Sequence, residues 1–428
     1  MNKSLLFFSV ATASLIVAIS CEKSVLIVDD TIEDPAILLT SDSLGVIDIN
    51  DYSSAEFAEM VGVDAPAETK GLSINYEVVR MKYQSTGVNG KPITLSMKIA
   101  YPVGLFGNYH KPTHIVLDNH FTIGSNAEAP YNITPIAFGC ALEDALVVCP
   151  DYEGYGITDK NDPPYICHEV NAKQSVDAVL AALDYIDAKR GVSMAKGYYL
   201  ENYGYSQGGG VALAVHKYIE TKLSASTQKR LNLKRSYCGG GPYDPVTTFR
   251  VFREWNELEI PMVAILPILG AKACFPDILG KYELSDFFTE EFNRTEMIEM
   301  MRSKEYSIDE MNAYIRDVEG LRTCKQIFNP DLLDENSQMS KDLVSCLEKS
   351  NLTTDWKPKA KVYLYHSKAD TIVPMENCEE AYTGLVGGNV SRMWAPTAPS
   401  HGDTGILFYV TYMGVAAACG AIATYGII

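Results

Sequence analysis

The sequence predicts an α/β fold: a mostly parallel, twisted sheet flanked by helices, led by an antiparallel hairpin and interrupted by an inserted helical cap. Three observations carry this reading. Two alternating β-rich runs within residues 73–101 flank Gly87-Val88-Asn89-Gly90, and Asn-Gly accepts the positive φ of a tight hairpin turn. Strand-like and helix-like segments then alternate from residue 113 to residue 238, the rhythm of a parallel sheet with right-handed crossovers. Residues 244–356 break that rhythm before a last core strand at residues 361–365.

In chain order, residues 1–20 run from Lys3 through an apolar stretch into Ala18-Ile19-Ser20-Cys21, the layout of a signal peptide. A cysteine directly after small residues suggests a bacterial lipobox with Cys21 as the lipid attachment point, and hence a membrane partner through an N-terminal anchor in the cell envelope, on its extracytoplasmic side. An ordinary cleaved signal is the alternative. Residues 21–70 carry Asp29, Asp30, Glu33, Asp34, Asp42, Asp48 and Asp51 without a sustained period, and read as an acidic tether or wrapping arm. Residues 71–243 and 357–428 form the expected core. Its strands are expected at 113–117, 145–150, 197–203, 233–238 and 361–365. Helices are expected at 136–144, around Val176, Val179, Leu180, Leu183 and Ile186, and at 211–219. The cap, 244–356, offers apolar surface at residues 261–270 and at Met297, Met300 and Met301, suited to acyl or aryl groups or to ordinary packing. After Asp403 no charge occurs to Ile428; the fold's last helix is preferred there over a membrane span.

Composition narrows the function. The chain has 428 residues and 47% hydrophobic content, enough for one large elaborated domain. Its net charge of −18 becomes −19 when residues 1–20, with their single Lys3, are removed. Such a charge repels polyanions, so no nucleic-acid partner is expected, and a neutral or cationic substrate fits better. Ten cysteines less Cys21 leave nine, an odd number that cannot pair completely within one chain. A disulfide among Cys140, Cys149 and Cys167 is possible in an oxidising compartment, with buried inert thiols preferred.

The chemistry centres on Gly204-Tyr205-Ser206-Gln207-Gly208, set between an apolar strand and an Ala/Val-rich helix. This is the pattern of a nucleophile elbow, a strained strand-to-helix turn that lifts the serine hydroxyl above the sheet. Gly-x-Ser-x-Gly alone arises by chance in roughly one chain of this length in seven, so placement has to decide. Ser206 is followed in the required order by Asp370, after a strand, and by His401 in a loop before the final helix. His401 would shuttle the Ser206 proton, and Asp370 would hold its tautomer. The six other histidines precede the last expected core strand or lie in it. Asp151 also leaves a strand and is assigned to structure. Two oxyanion donors are needed: the Gln207 amide is one, and the backbone of His120 or Phe121 in residues 117–124 is the other. No HxH, HExxH or Cys/His spacing accompanies His120, so no metal is expected there.

The run from Pro150-Asp151-Tyr152-Glu153-Gly154-Tyr155-Gly156 through the Ser206 elbow to Gly241-Pro242-Tyr243-Asp244 resembles the secretory lipase (lipase A-like) branch of the α/β-hydrolases and similar bacterial esterases. The likeness extends over residues 75–245 and 360–405. It implies capped carboxylic ester hydrolases without cofactors, with Ser206, Asp370 and His401 as the triad and a small-molecule or lipid ester as substrate. The rival expectations are a carbohydrate esterase removing acetyl or feruloyl groups, a peptidase of the same fold, and a non-catalytic surface-binding lipoprotein.

Overall fold

The computed structural model describes residues 38–48, 75–103, 111–133, 137, 144–188, 192–397 and 400–425. Cys21, Cys140 and nearly all of the helix expected at 136–144 lie outside them. The strands are β1 (Leu38–Asp48), β2 (Asn75–Thr86), β3 (Pro92–Val103), β4 (His114–Asn119), β5 (Ala145–Pro150), β6 (Tyr199–Tyr205), β7 (Leu233–Gly239), β8 (Lys361–His366) and β9 (Val390–Trp394). They form one sheet in the order β1-β2-β3-β5-β4-β6-β7-β8-β9. The first four in that order pair antiparallel, and from β5 onward every pairing is parallel.

Local sequence explains most of this. The β2–β3 hairpin closes where Gly87 N donates to Lys91 O at 2.8 Å and Gly90 takes a φ of 73°. β5 reads Ala-Leu-Val-Val-Cys-Pro and is buried along its whole length, as a strand covered on both faces must be. Helix α1 (His168–Ala188) and helix α2 (Gln207–Lys222) cover one face with aliphatic side chains, Val176, Val179, Val211 and Val215 packing on Ile115, Leu117 and Val148. The opposite face is aromatic. Tyr203, Tyr237 and Tyr363 stand in register on β6, β7 and β8 and stack with ring centroids 4.6 and 4.9 Å apart.

The last helix covers that aromatic face. Tyr412 lies 4.6 Å from Tyr237, and Phe408, Tyr409 and Met413 are buried beside it. Packing thus accounts for the apolar character of residues 404–413. Among the described residues no helix is long and apolar enough to cross a membrane.

Four expectations are corrected. Within the segment read as a tether, β1 pairs along β2 with a register shift between Ser43 and Gly45; an edge strand with exposed side chains such as Leu44 shows no burial period to read. A further strand, β9, follows β8. His401 is not in a loop but is the first residue of the final helix (His401–Tyr425), because Ser400 Oγ accepts from Asp403 N at 3.0 Å and donates to Asp403 Oδ2, capping the helix one residue earlier. Of the cap methionines, Met297 and Met301 are buried and Met300 is half-buried, so the packing alternative replaces the open surface.

Residues 244–356 fold as helix α3 (Pro245–Glu254), helix α4 (Met262–Cys274), helix α5 (Gln338–Glu348) and shorter helical turns. They build a second hydrophobic centre from Phe287, Phe292, Met297, Ile315, Ile327 and Leu343, to which Tyr165 and Ile166 contribute from outside the insertion.

Candidate active site

β6 ends at Tyr205 and α2 begins at Gln207, so the whole change of direction falls on Ser206, which takes φ 58° and ψ −125°. That conformation is costly for a residue with a Cβ and persists only where the surroundings enforce it. Ser206 N donates to Gly239 O on β7 at 2.9 Å. On the other side, a Cβ on Gly208 would stand 1.9 Å from Asn119 O and 2.8 Å from His120 O. Only glycine lets α2 press this closely on the chain leaving β4. The first N–H groups of α2 have no partner within the helix and carry the positive end of its dipole. Gln207 supplies one of these beside the Ser206 hydroxyl.

Asp370 lies in the loop after β8. Its Oδ1 accepts from the Ile372 and Val373 amides at 2.9 and 2.8 Å. Its Oδ2 stands 2.6 Å from His401 Nδ1 and 3.4 Å from His366 Nε2. Burial by itself would raise the carboxyl's pKa, but His401, His366 and the Val373 amide outweigh it and hold the group below its ordinary value. With a carboxylate facing Nδ1, the His401 proton belongs on that nitrogen and Nε2 keeps its lone pair. Nε2 is buried and has no hydrogen-bond partner, so it does not bond Ser206 Oγ in this conformation. Contacts of this kind often tighten only when substrate is bound. Tyr205, next to the serine, fixes the histidine backbone by donating to His401 O at 2.6 Å, with its ring 4.9 Å from the imidazole.

The expected oxyanion loop meets the elbow at Asn119 and His120. The His120 ring is engaged elsewhere: Nδ1 lies 2.6 Å from Phe121 O and Nε2 3.1 Å from Asp151 O, and the ring stacks on Tyr152 at 4.1 Å. Burial lowers its pKa. This leaves the backbones of His120 and Phe121 as the candidates for a donor. Among the described residues no group of three or more His, Cys, Asp or Glu side chains could hold a metal ion.

Sequence reasoning missed two features. A buried polar chain runs behind the elbow: Asn119 Nδ2 donates to Asn202 Oδ1 at 2.7 Å, Asn202 Nδ2 to Ser236 Oγ at 2.9 Å, and Ser236 Oγ meets His216 Nδ1 at 2.8 Å. Polar residues at inward positions of strand-like runs were its only signal. The cap also touches both loops of the site. Glu259 bonds Thr371 beside Asp370, Asn126 N donates to Lys304 O at 2.7 Å, and Gly124 lies against residues 306–311. Arg302 forms a bidentate pair with Asp162 at 3.0 and 2.6 Å.

No family model and no curated protein sequence matches the chain. Solved structures do. The rice cell wall degrading esterase LipA from Xanthomonas oryzae is 20% identical with a TM-score of 0.68, over 90% of this chain and 97% of its own. A putative hydrolase from Legionella pneumophila is 18% identical with a TM-score of 0.69, again over 90% and 97%. Candida antarctica lipase A is 16% identical with a TM-score of 0.60, over 81% and 80%. With its mostly parallel sheet, its strand-to-helix elbow and these neighbours, the chain has the α/β-hydrolase fold.

Proposed function

We propose that the protein is an extracytoplasmic serine carboxylic ester hydrolase. The observation that carries this reading is the Asp370–His401 hydrogen bond of 2.6 Å, which leaves a buried, unpartnered Nε2 on a histidine packed against Tyr205, the neighbour of a serine held at positive φ. Ser206 Oγ attacks the ester carbonyl as His401 Nε2 takes its proton. The tetrahedral oxyanion is held by the Gln207 amide and a backbone N–H of His120 or Phe121. His401 then protonates the departing alcohol, leaving an acyl-enzyme, and activates the water that cleaves it. Asp370 stays ionised throughout and stabilises the imidazolium.

A fluorophosphonate probe and a nitrophenyl ester series test the mechanism together. Labelling at Ser206, lost in Ser206→Ala along with at least ~10³-fold of the turnover, is the expected result. Turnover surviving in a folded Ser206→Ala protein overturns it. The chain-length profile separates esterase from lipase. A carbohydrate esterase is the second reading, favoured by the likeness to the cell wall degrading esterase, and release of ferulate or acetate from sugar esters tests it. The location rests on residues 1–20 and Cys21; mass spectrometry finding Cys21 unmodified in the exported protein overturns the lipid anchor.

A further inference from the structure

Helix α4 of the cap lies directly on the chain segment that leads into α1. A Cβ on Gly270 would stand 2.5 Å from Tyr165 O, and the Cys167 thiol donates to Gly270 O at 3.3 Å. Cys274 follows Gly270 by four residues, so it occupies the same face of α4 one turn further on. Its side chain lies within interaction range of the Cys167 thiol, and Cys346 on α5 lies near both. Cys167 and Cys346 are buried, while Cys274 is half-exposed. Buried structural thiols are normally inert. Here one member of the pair is half-exposed, and the pair spans the cap and the chain segment that leads into α1.

We propose that Cys167 and Cys274 form a core–cap disulfide site, closed by exchange with a small-molecule disulfide. The Cys274 thiolate attacks one sulfur of oxidised glutathione and releases one glutathione thiol. The Cys167 thiolate then attacks the Cys274 sulfur of the mixed disulfide and releases the second. Two protein S–H groups become one S–S bond, and the small disulfide is reduced to two thiols, so protons and electrons balance. The bond ties the cap to the segment before α1 and closes a loop between residues 107 apart (274 − 167), long enough to restrict the unfolded chain strongly.

The test treats the intact chain with oxidised glutathione, then maps its peptides without reduction. The expected result is a peptide pair linking Cys167 to Cys274 and lighter by two hydrogens, with a thermal midpoint raised by about 5 °C and restored by dithiothreitol. Cys346→Ser keeps both effects and Cys274→Ser loses both. A glutathione adduct that persists on Cys274, a Cys274–Cys346 link, or no reaction in the folded protein overturns the proposal. None of these readouts depends on ester hydrolysis, so the inference stands or falls separately from the proposed activity.

Discussion

Asp370 and Asp151 both leave the carboxyl end of a core strand, both are buried, and both lie beside a histidine of the site, yet their surroundings push their pKa values in opposite directions. Asp370 has an imidazole on one oxygen and two amides on the other, and is held ionised. Asp151 accepts from Ser96 Oγ on one oxygen and from the Tyr131 amide, at 2.8 Å, on the other. Burial raises its pKa to about 7, with Ser96, Tyr131, Lys98 and Arg80 only partly offsetting the effect. The difference lies in the partners rather than in residue type or strand position. A carboxylate can orient a catalytic histidine only where enough donors converge to keep it charged.

The sharpest way to break this comparison is kinetic. Asp370→Asn should lower kcat on nitrophenyl esters by ~10³–10⁴-fold, because the amide favours the wrong His401 tautomer. Asp151→Asn should stay within about tenfold of the parent, since it touches the site only through the loops it pins. Equal losses would erase the distinction.

Asp151→Ala leaves the Ser96 hydroxyl and the Tyr131 amide without their acceptor, and should cost about 1–3 kcal/mol in urea unfolding.

The pH dependence should differ in sign. Folded Asp151 keeps a proton that the unfolded chain, with an ordinary value of 3.8, has already released. Its contribution is therefore fully present below about pH 4 and lost as pH rises to about 7. Asp118, also raised to about 7 by burial, adds to that fall, so Asp151→Asn should flatten the stability profile between these limits without abolishing it. Asp370 does the reverse: its contribution is present above 3.8 and is lost as pH falls through the lowered folded value. Urea midpoints measured from about pH 2 to pH 7 check both directions.

The smallest expected effect concerns the histidine's own anchor. Tyr205→Phe removes the bond to His401 O and should slow turnover a few-fold, with about 1 kcal/mol of lost stability.

The sequence by itself determined whatever is written in local pattern. The hairpin at Gly87–Gly90, the fully apolar run of β5, the strand-to-helix elbow and the chain order of Ser206, Asp370 and His401 each depend on neighbouring residues, and each was legible before any coordinates. β1 and β9 were not, because edge strands are partly exposed and lack a burial period. The start of the last helix was misplaced although a local signal for it exists: Ser400 and Asp403 stand at the Ser-x-x-Asp spacing of a helix N-terminus. Only the tertiary structure decided what long-range contacts decide: that Asn119, Asn202 and Ser236 join behind the elbow, that Met297 and Met301 turn inward, and that Cys274 comes to face Cys167. Each of these joins residues far apart in the chain, and folding alone sets which distant groups share a low-dielectric interior and so which charges survive there.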